Sequence, residues 1–238
     1  MDIIVLFDID GTILHSGGAG KRGMEQAFEE VFGISGAFKG ITMSGKTDPQ
    51  ILQEALAKHR LSAAPEQVER FRSRYFELLS RNIQRDLPNK QVFPGVKHLL
   101  QTLQDRPEIH LGLLTGNWKE GARIKLGHFG LWDFFEFGAF GDDSVDRNEL
   151  LPFALRRFHE MRGDLDRRLG PEQVVVIGDT PNDVQCAHVH GARAIAVATG
   201  RYDREELAAG GADLVVTDLR DTRSILNWIL AASKLQER

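Results

Sequence analysis

Continuous runs of apolar residues recur along the chain and end at polar or turn-forming positions. Runs of this kind are typical of strands that are buried on both faces of a parallel sheet. Amphipathic patterns with helical periodicity lie between the runs, for example at residues 96–103 and 150–161. Alternating strands and helices predict crossover connections and an α/β fold with a doubly wound parallel sheet. The predicted strands are residues 3–7, 109–114, 173–177, 194–197 and 213–216.

Residues 16–89 break this alternation, because they contain no convincing buried strand. Three amphipathic helical patterns fill the stretch instead, and segments with glycine and proline separate them. We therefore predict a helical insert after the first strand, with residues 1–15 and 90–238 forming the α/β core. The predicted helices of the insert are residues 19–32, 49–59 and 65–84.

Composition and charge narrow the class of protein. The chain has 238 residues and a net charge of -4, with acidic and basic residues mixed along it. This does not resemble a nucleic-acid-binding surface or a polybasic membrane surface, so we predict neither partner. The one cysteine, Cys186, excludes an intramolecular disulfide and favours a reducing compartment. The sequence shows no signal-peptide pattern and no apolar stretch long enough to span a bilayer, so we expect a soluble, cytoplasmic protein. We expect residues 234–238 to be a frayed end. The sequence does not determine the oligomeric state.

The strongest chemical signal comes at the end of the first predicted strand, in the segment Asp8-Ile9-Asp10-Gly11-Thr12. Residues two apart in an extended chain point to the same side, so Asp8 and Asp10 would meet at the carboxyl edge of the sheet, where α/β folds bind ligands. Paired carboxylates need a cation or a proton beside them, and oxygen ligands suit Mg²⁺. Gly11 lets the chain approach a ligand closely. The alternative is a turn in which Asp10 and Gly11 merely end a strand.

A second signal follows the predicted strand at residues 109–114. Thr115 offers a hydroxyl there, and the backbone amides that come next, at Gly116 and Asn117, can face an anion at the start of a helix. The alternative is that Asn117 only caps the helix that begins near Trp118.

A third signal follows the predicted strand at residues 173–177. Asp179 stands at the mouth of this strand, and Asp183 lies four residues on, so both carboxylates can face one way across a helical turn. Helix capping and compensation of the helix dipole are the alternative explanation. Capping alone does not explain two carboxylates just after a buried strand, so a functional role is favoured.

Together, the three segments, their order and the helical insert resemble the haloacid dehalogenase superfamily in its phosphatase branch, and most closely its phosphoglycolate phosphatase-like members. The resemblance extends over essentially the whole chain. It implies a Rossmann-like core with the insert acting as a cap that closes over the substrate. It also implies a Mg²⁺-dependent phosphohydrolase that acts on a small phosphorylated metabolite.

The resemblance further implies roles for individual residues. Asp8 would attack phosphorus and form an aspartyl-phosphate, and Asp10 would protonate the leaving oxygen and then activate water. Thr115 would bind the transferring phosphoryl group. Mg²⁺ would be held by the Asp8 side chain, the Asp10 carbonyl and Asp179, with Asp183 assisting directly or through water. The other residues predicted to bind phosphate are Gly11, Thr12, Gly116 and Asn117.

One position departs from the commonest family pattern, in which a lysine precedes the next helix and binds both nucleophile and phosphate. Residues 141–149 contain no lysine, and Arg147 is the best replacement because it precedes the helix predicted from Asn148. Arginine keeps the charge and can hold phosphate through two donors. Lys125 is the nearest preceding lysine, but it lies in a helical pattern and comes too early in the chain. The alternative is that Arg147 is a solvated loop residue.

Lys46, in the insert, is a candidate for contact with the substrate anion. It lies in residues 44–49, where Gly45 and Pro49 bracket a turn and Asp48 can cap the following helix. In similar phosphatases the corresponding stretch reaches the active site. The alternative is a solvated loop lysine.

The sequence thus predicts hydrolysis of a small phosphomonoester, with phosphoglycolate as the leading substrate. A sugar-phosphate mutase with the same Asp8 chemistry is the first rival, and it would need a bound bisphosphate. A non-catalytic sensor of a phosphorylated ligand is a rival from another class, supported only by the missing lysine. Retention of both Asp8 and Asp10 argues against a sensor, because a binder needs no nucleophile and acid together. Dehalogenases and receiver domains fit the Asp8-to-Thr12 pattern poorly.

Overall fold

The sheet is parallel and six-stranded, as far as the described residues reach. The computed structural model describes residues 2–164 and 169–231, so residues 234–238, expected to be frayed, lie outside the described part. The strands are β1 Ile3–Phe7, β2 Leu14–His15, β3 Gln91–Val92, β4 Ile109–Leu114, β5 Phe137–Ala139, β6 Val174–Gly178, β7 Arg193–Val197 and β8 Leu214–Val216. Their order in the main sheet is β5-β4-β1-β6-β7-β8, with every neighbouring pair parallel.

Helices connect these strands and also fill the insert. They are α1 Ala19–Phe32, α2 Asp48–Lys58, α3 Pro65–Gln84, α4 Val96–Gln104, α5 Lys119–His128, α6 Leu150–Arg162, α7 Pro181–His188, α8 Arg204–Ala209 and α9 Thr222–Ala231. A search of the described residues for a helix with the length and apolarity to cross a membrane finds none.

The side chains of β1 alternate between two hydrophobic clusters, one on each face of the sheet. Val5 and Phe7 lie with apolar residues of α4, α5 and α9, whereas Ile4 and Leu6 lie with apolar residues of α6, α7 and α8. All residues of the strand are buried, as a continuous apolar run predicts. The doubly wound α/β core is therefore confirmed.

Three short strands were not predicted from the pattern. β5 has three residues, includes Gly138 and pairs within the sheet only with β4, so it has no apolar run to reveal it. β2 and β3 have two residues each and pair with each other in antiparallel fashion. This small ribbon joins the two points where the chain leaves and re-enters the core.

The helices α1, α2 and α3 build a hydrophobic cluster of their own, which includes Phe28, Phe71 and Tyr75. Trp118, at the start of α5, is buried in the same cluster, and Ile124 packs against it. The ring centroid of Trp118 lies 5.8 Å from that of Tyr75. Apolar contacts therefore join the insert to the helix that follows β4, and this brings the insert over the carboxyl edge of the sheet.

Candidate active site

Three adjacent strands bring the predicted motifs to one edge of the sheet. Asp8, Thr115 and Asp179 directly follow β1, β4 and β6, and β1 pairs with both of the other strands. A cavity of about 540 Å³ opens at this carboxyl edge, where α/β sheets bind ligands. The predicted residues that line it are Asp8, Asp10, Gly11, Lys46, Gly116, Asn117, Arg147 and Asp179. Buried behind this lining are Thr12, Thr115 and Asp183.

Asp8, Asp179 and Asp183 form a buried group of carboxylates. One carboxylate oxygen from each residue lies within 4.8 Å of the others. Burial raises the pKa of Asp8 to about 6, against the opposing charge of Arg147. Burial, followed by the neighbouring carboxylates of Asp183 and Asp8, raises the pKa of Asp179 well above its ordinary value. Without a cation, keeping these carboxylates ionised therefore costs the folded protein free energy.

The carboxylates of Asp8, Asp179 and Asp183 are suitable ligands for a hard divalent cation. In residues 2–164 and 169–231, the ion pairs to the three carboxylates all come from one guanidinium, that of Arg147, and none reaches Asp179. Three close carboxylates beside one guanidinium leave a net negative charge in a buried place. Carboxylate oxygens are the ligands that Mg²⁺ prefers, and such a cation relieves repulsion between like charges. Asp8, Asp179 and Asp183 are therefore the residues suited to hold it.

Arg147 lies in a short 3₁₀ helix, Arg147–Glu149, that leads into α6. Its Nη2 donates hydrogen bonds to Asp8 Oδ1 at 3.0 Å and to Asp183 Oδ1. The residue is only 6% exposed, which rules out a solvated loop residue. Its buried Nε has no hydrogen-bond partner in the described part of the chain. Arg147 thus fixes the Asp8 side chain and retains a spare donor.

Asp10 is held by the segment after β4 and by α5. Its Oδ2 accepts hydrogen bonds from Asn117 Nδ2 at 2.9 Å and from Lys125 Nζ at 2.5 Å. Asn117 Nδ2 also donates to Thr115 Oγ1 at 2.9 Å. Asn117 does not cap α5, because Trp118 occupies the cap position and no side chain caps there. Asn117 therefore connects Asp10 with Thr115, and the capping alternative is wrong.

Lys125 is a site residue that the sequence argument left out. It lies in α5 and makes no ion pair with Asp8, but it is buried and paired with Asp10. Trp118, Ala122 and Lys125 are all buried at helical spacing, so they share one face of the helix. A lysine on the apolar face of an amphipathic helix was the available signal. Its distance along the chain excluded it only as the partner of Asp8, and Arg147 is indeed that partner.

Thr12 supports a carboxylate rather than lining the cavity. Its Oγ1 donates to Asp179 Oδ1 at 3.2 Å, and its side chain is fully buried. The hydroxyl therefore donates to the buried carboxylate, and binding of phosphate by Thr12 stays a prediction. Gly11, beside it, has a φ of 94°, and a Cβ there would lie 2.2 Å from Asp179 Oδ2. Only glycine permits this close approach between the first and third motifs.

Asp183 caps α7 and also belongs to the buried group of carboxylates. Its Oδ2 accepts hydrogen bonds from the backbone N and from Oγ1 of Thr180, which forms the capping box of α7. Its Oδ1 accepts from Arg147. Asp179 precedes the cap residue Thr180, and its side chain accepts from Thr12 instead of capping the helix. Capping thus accounts for one oxygen of Asp183 and does not account for the Asp179 carboxylate.

The segment around Lys46 reaches the cavity from the insert. Lys46 lines the cavity, and its Nζ donates to both carboxylate oxygens of Glu54 at 2.6 Å. A Cβ on Gly116 would lie 2.2 Å from the carbonyl oxygen of Lys46. The backbone of this segment is therefore packed directly on the turn that follows β4.

Asp48 differs from its expected role as the cap of α2. The helix begins at Asp48 itself, and Thr47 caps it by accepting a hydrogen bond from Gln50 N. Asp48 Oδ2 instead accepts from the backbone N of Trp118 at 2.9 Å. Burial raises the pKa of Asp48 to about 7, with the charge of Lys125 opposing the rise. Asp48 therefore connects the insert to the start of α5.

Comparisons with known proteins agree with this arrangement. Residues 5–197 match the family model described as haloacid dehalogenase-like hydrolase. The chain is similar to phosphoglycolate phosphatase of Rhodospirillum rubrum, with 28% identity over 94% of this chain and 90% of that protein. It is also similar to tyrosine-protein kinase PtkA of Mycobacterium tuberculosis, with 27% identity over 90% of this chain and 68% of that protein.

A solved structure shares the fold over nearly the whole chain. It is a mutant of CbbY from Rhodobacter sphaeroides in complex with xylulose-(1,5)bisphosphate, with a TM-score of 0.72 and 19% identity. The match covers 93% of this chain and 96% of that one. At this identity the likeness establishes the architecture, and the chemistry has to be argued from the site.

Proposed function

Because the chain belongs to the haloacid dehalogenase-like hydrolase family, we propose that it hydrolyses a small phosphomonoester with Mg²⁺ and with Asp8 as nucleophile. The observation that carries the proposal is the setting of the Asp8 carboxylate. It lines the cavity at the end of β1, accepts a hydrogen bond from Arg147 and lies beside Asp179 and Asp183. The family and the phosphoglycolate phosphatase relative support a phosphoric monoester hydrolase.

In the first step of the proposed reaction, a carboxylate oxygen of Asp8 bonds to phosphorus while the bond from phosphorus to the ester oxygen breaks. Asp10 gives its proton to the departing oxygen, so a free alcohol leaves. Arg147 holds Asp8 in place for the attack. Mg²⁺ held by Asp8, Asp179 and Asp183 would supply positive charge that offsets repulsion between Asp8 and the phosphate oxygens.

In the second step, Asp10 takes a proton from water, whose oxygen bonds to phosphorus as the bond to Asp8 breaks. Inorganic phosphate leaves, and Asp8 and the protonated Asp10 are restored. Thr115 Oγ1 accepts hydrogen bonds from Asn117 N and Nδ2. Its own hydrogen therefore remains available to the phosphoryl group.

We also propose that residues 16–89 are a cap domain over the α/β core of residues 1–15 and 90–238. The separate hydrophobic cluster of α1, α2 and α3 and the presence of Lys46 at the cavity support this division. Phosphoglycolate is the leading substrate, because phosphatases for it recur among the relatives. The single cysteine, Cys186, suits a reducing, cytoplasmic location.

Phosphate release from a panel of esters tests the proposed function. The panel contains phosphoglycolate, a hexose phosphate, glycerol phosphate and p-nitrophenyl phosphate, each assayed with Mg²⁺ and with EDTA. We expect phosphate release that requires Mg²⁺. Conversion of the hexose phosphate to an isomer without phosphate release would favour the mutase. Ligand-induced stabilisation without turnover on any ester would favour the sensor.

Gly200 offers a test of the cation-binding group through its contact with Asp179. A Cβ on Gly200 would lie 1.7 Å from Asp179 Oδ2, and that carboxylate is buried and bonded to Thr12. We expect Gly200→Ala to displace it and to raise the Mg²⁺ concentration for half-maximal activity about 10-fold or more. Gly127→Ala is the matched control, because nothing lies within 4 Å of its added Cβ. An unchanged Mg²⁺ requirement in Gly200→Ala would remove Asp179 from the cation site.

A further inference from the structure

The ammonium group of Lys125 lies inside the site and has no role in the reaction described so far. It lines the cavity, and its side chain is 6% exposed. Burying an ammonium group is costly unless charged and polar partners surround it. Its two acceptors are Asp10 Oδ2 at 2.5 Å and Asn117 Oδ1 at 2.6 Å. The chain thus places a buried cation on the proposed acid, distinct from the guanidinium that holds the proposed nucleophile.

Lys125 also determines which way the Asn117 amide faces. An ammonium group only donates, so the Asn117 atom beside it must be the oxygen. The amide nitrogen then faces the other way and donates to Asp10 Oδ2 and to Thr115 Oγ1. Lys125 therefore acts on Asp10 twice, once directly and once through Asn117.

Both donors reach the same oxygen of Asp10. Oδ2 accepts from Asn117 and from Lys125, while Oδ1 has no hydrogen-bond partner among residues 2–164 and 169–231. The side chain of Asp10 is 41% exposed and lines the cavity. An oxygen that already accepts from two donors is the poorer place for a proton. Oδ1 is therefore the atom that can carry a proton to a ligand.

We propose that Lys125 is a positioning residue that anchors Asp10 through Oδ2, directly and through Asn117, so that Oδ1 meets the leaving oxygen. The proposal rests on the proposed function, because it assigns Asp10 a leaving group. It separates two cations in the site: Arg147 orients the nucleophile, and Lys125 orients the acid. A lysine that only balanced buried charge would affect all substrates alike.

The leaving group of the substrate distinguishes these roles. An alkyl phosphate needs a proton on its departing oxygen, whereas p-nitrophenyl phosphate releases a stable phenolate. The ratio kcat/KM reports on events up to release of the alcohol, so the second step does not enter. We expect Lys125→Met to lower kcat/KM by about 10²-fold for the best alkyl ester and by less than about threefold for p-nitrophenyl phosphate. Asp10→Asn should show the same selectivity, and adding Lys125→Met to it should cause little further loss.

Wild-type turnover separates failure of this inference from failure of the proposed function. If the wild type releases no phosphate in the presence of Mg²⁺, the proposed function itself is contradicted. Wild-type turnover with an equal loss on both esters in Lys125→Met would leave only a structural role for Lys125. If Lys125→Met does not fold, Lys125→Gln carries the same expectation, since it removes the ammonium donor to Oδ2 and keeps a polar side chain in the buried position. Restoration of alkyl ester turnover in Lys125→Ala by added methylammonium would support the inference. Absence of the leaving-group selectivity in both Lys125→Met and Lys125→Gln would overturn it.

Discussion

Replacing Asp8 with asparagine is expected to lower turnover by at least about 10³-fold on every ester while the protein stays folded. The amide has nearly the shape of the carboxylate, but it has no anionic oxygen to bond to phosphorus. Loss of the nucleophile removes the covalent route instead of weakening substrate binding. Steady-state assays with saturating Mg²⁺ measure the effect, and circular dichroism checks the fold. Activity within about tenfold of the wild type would contradict covalent catalysis by Asp8.

The same substitution should stabilise the metal-free protein at neutral pH. Folding raises the pKa of Asp8 from its ordinary 3.8 to about 6, so the folded state binds more protons than the unfolded state between these values. Wild-type stability from this group is therefore present below about pH 4 and is lost as the pH rises through about 6. The shift corresponds to about 3 kcal/mol, which Asp8→Asn avoids. Urea unfolding in EDTA should give similar free energies of unfolding for the wild type and Asp8→Asn near pH 4, and a higher one for Asp8→Asn near pH 8. A difference between the two proteins that does not change with pH would contradict the raised pKa of Asp8.

Replacing Arg147 with alanine is expected to reduce both turnover and stability. The substitution leaves Asp8 without its ion pair and removes the cation beside Asp183. Breaking a buried ion pair from one side costs about 3–5 kcal/mol, because the remaining charge stays buried. We expect a turnover loss of about 10²-fold or more, since the nucleophile is no longer held and charge on the phosphoryl group loses a donor.

Arg157→Ala is the matched control for Arg147→Ala. Arg157 also pairs with an aspartate, Asp143, but its side chain is 35% exposed and it does not line the cavity of the site. We expect its loss to leave turnover near that of the wild type. Near-normal activity of Arg147→Ala, by contrast, would show that another cation performs its role.

Local sequence was sufficient to predict the residues that follow buried strands. Asp8, Thr115 and Asp179 each follow a predicted buried strand, and parallel pairing brings such ends to one edge. Arg147 was found by its place before a predicted helix. The catalytic roles of these residues remain predictions until they are measured.

The hydrogen bonds that side chains make with distant segments could not be predicted from the sequence. Lys125 reaches Asp10 across 115 positions of the chain, and Asp48 reaches Trp118 across 70. The first depends on how α5 packs on the segment after β1, and the second on how the insert packs on α5, and no local pattern specifies either. The partner of the Thr12 hydroxyl was beyond the sequence for a related reason, because only packing shows that it donates to Asp179. The short strand β5 was missed because three residues with a central glycine carry no periodicity.

The most direct test of the account is to find the phosphoryl group on Asp8. Asp10→Asn is incubated with p-nitrophenyl phosphate and Mg²⁺, quenched in acid and mapped by mass spectrometry. Because this leaving group needs no proton but hydrolysis of the intermediate needs a base, we expect the phosphoryl group to accumulate on the peptide that contains Asp8. It should be absent in Asp8→Asn. The account would be contradicted by three results together. The wild type would release p-nitrophenol over many turnovers, neither the wild type nor Asp10→Asn would yield a phosphorylated Asp8 peptide, and Asp8→Asn would retain activity.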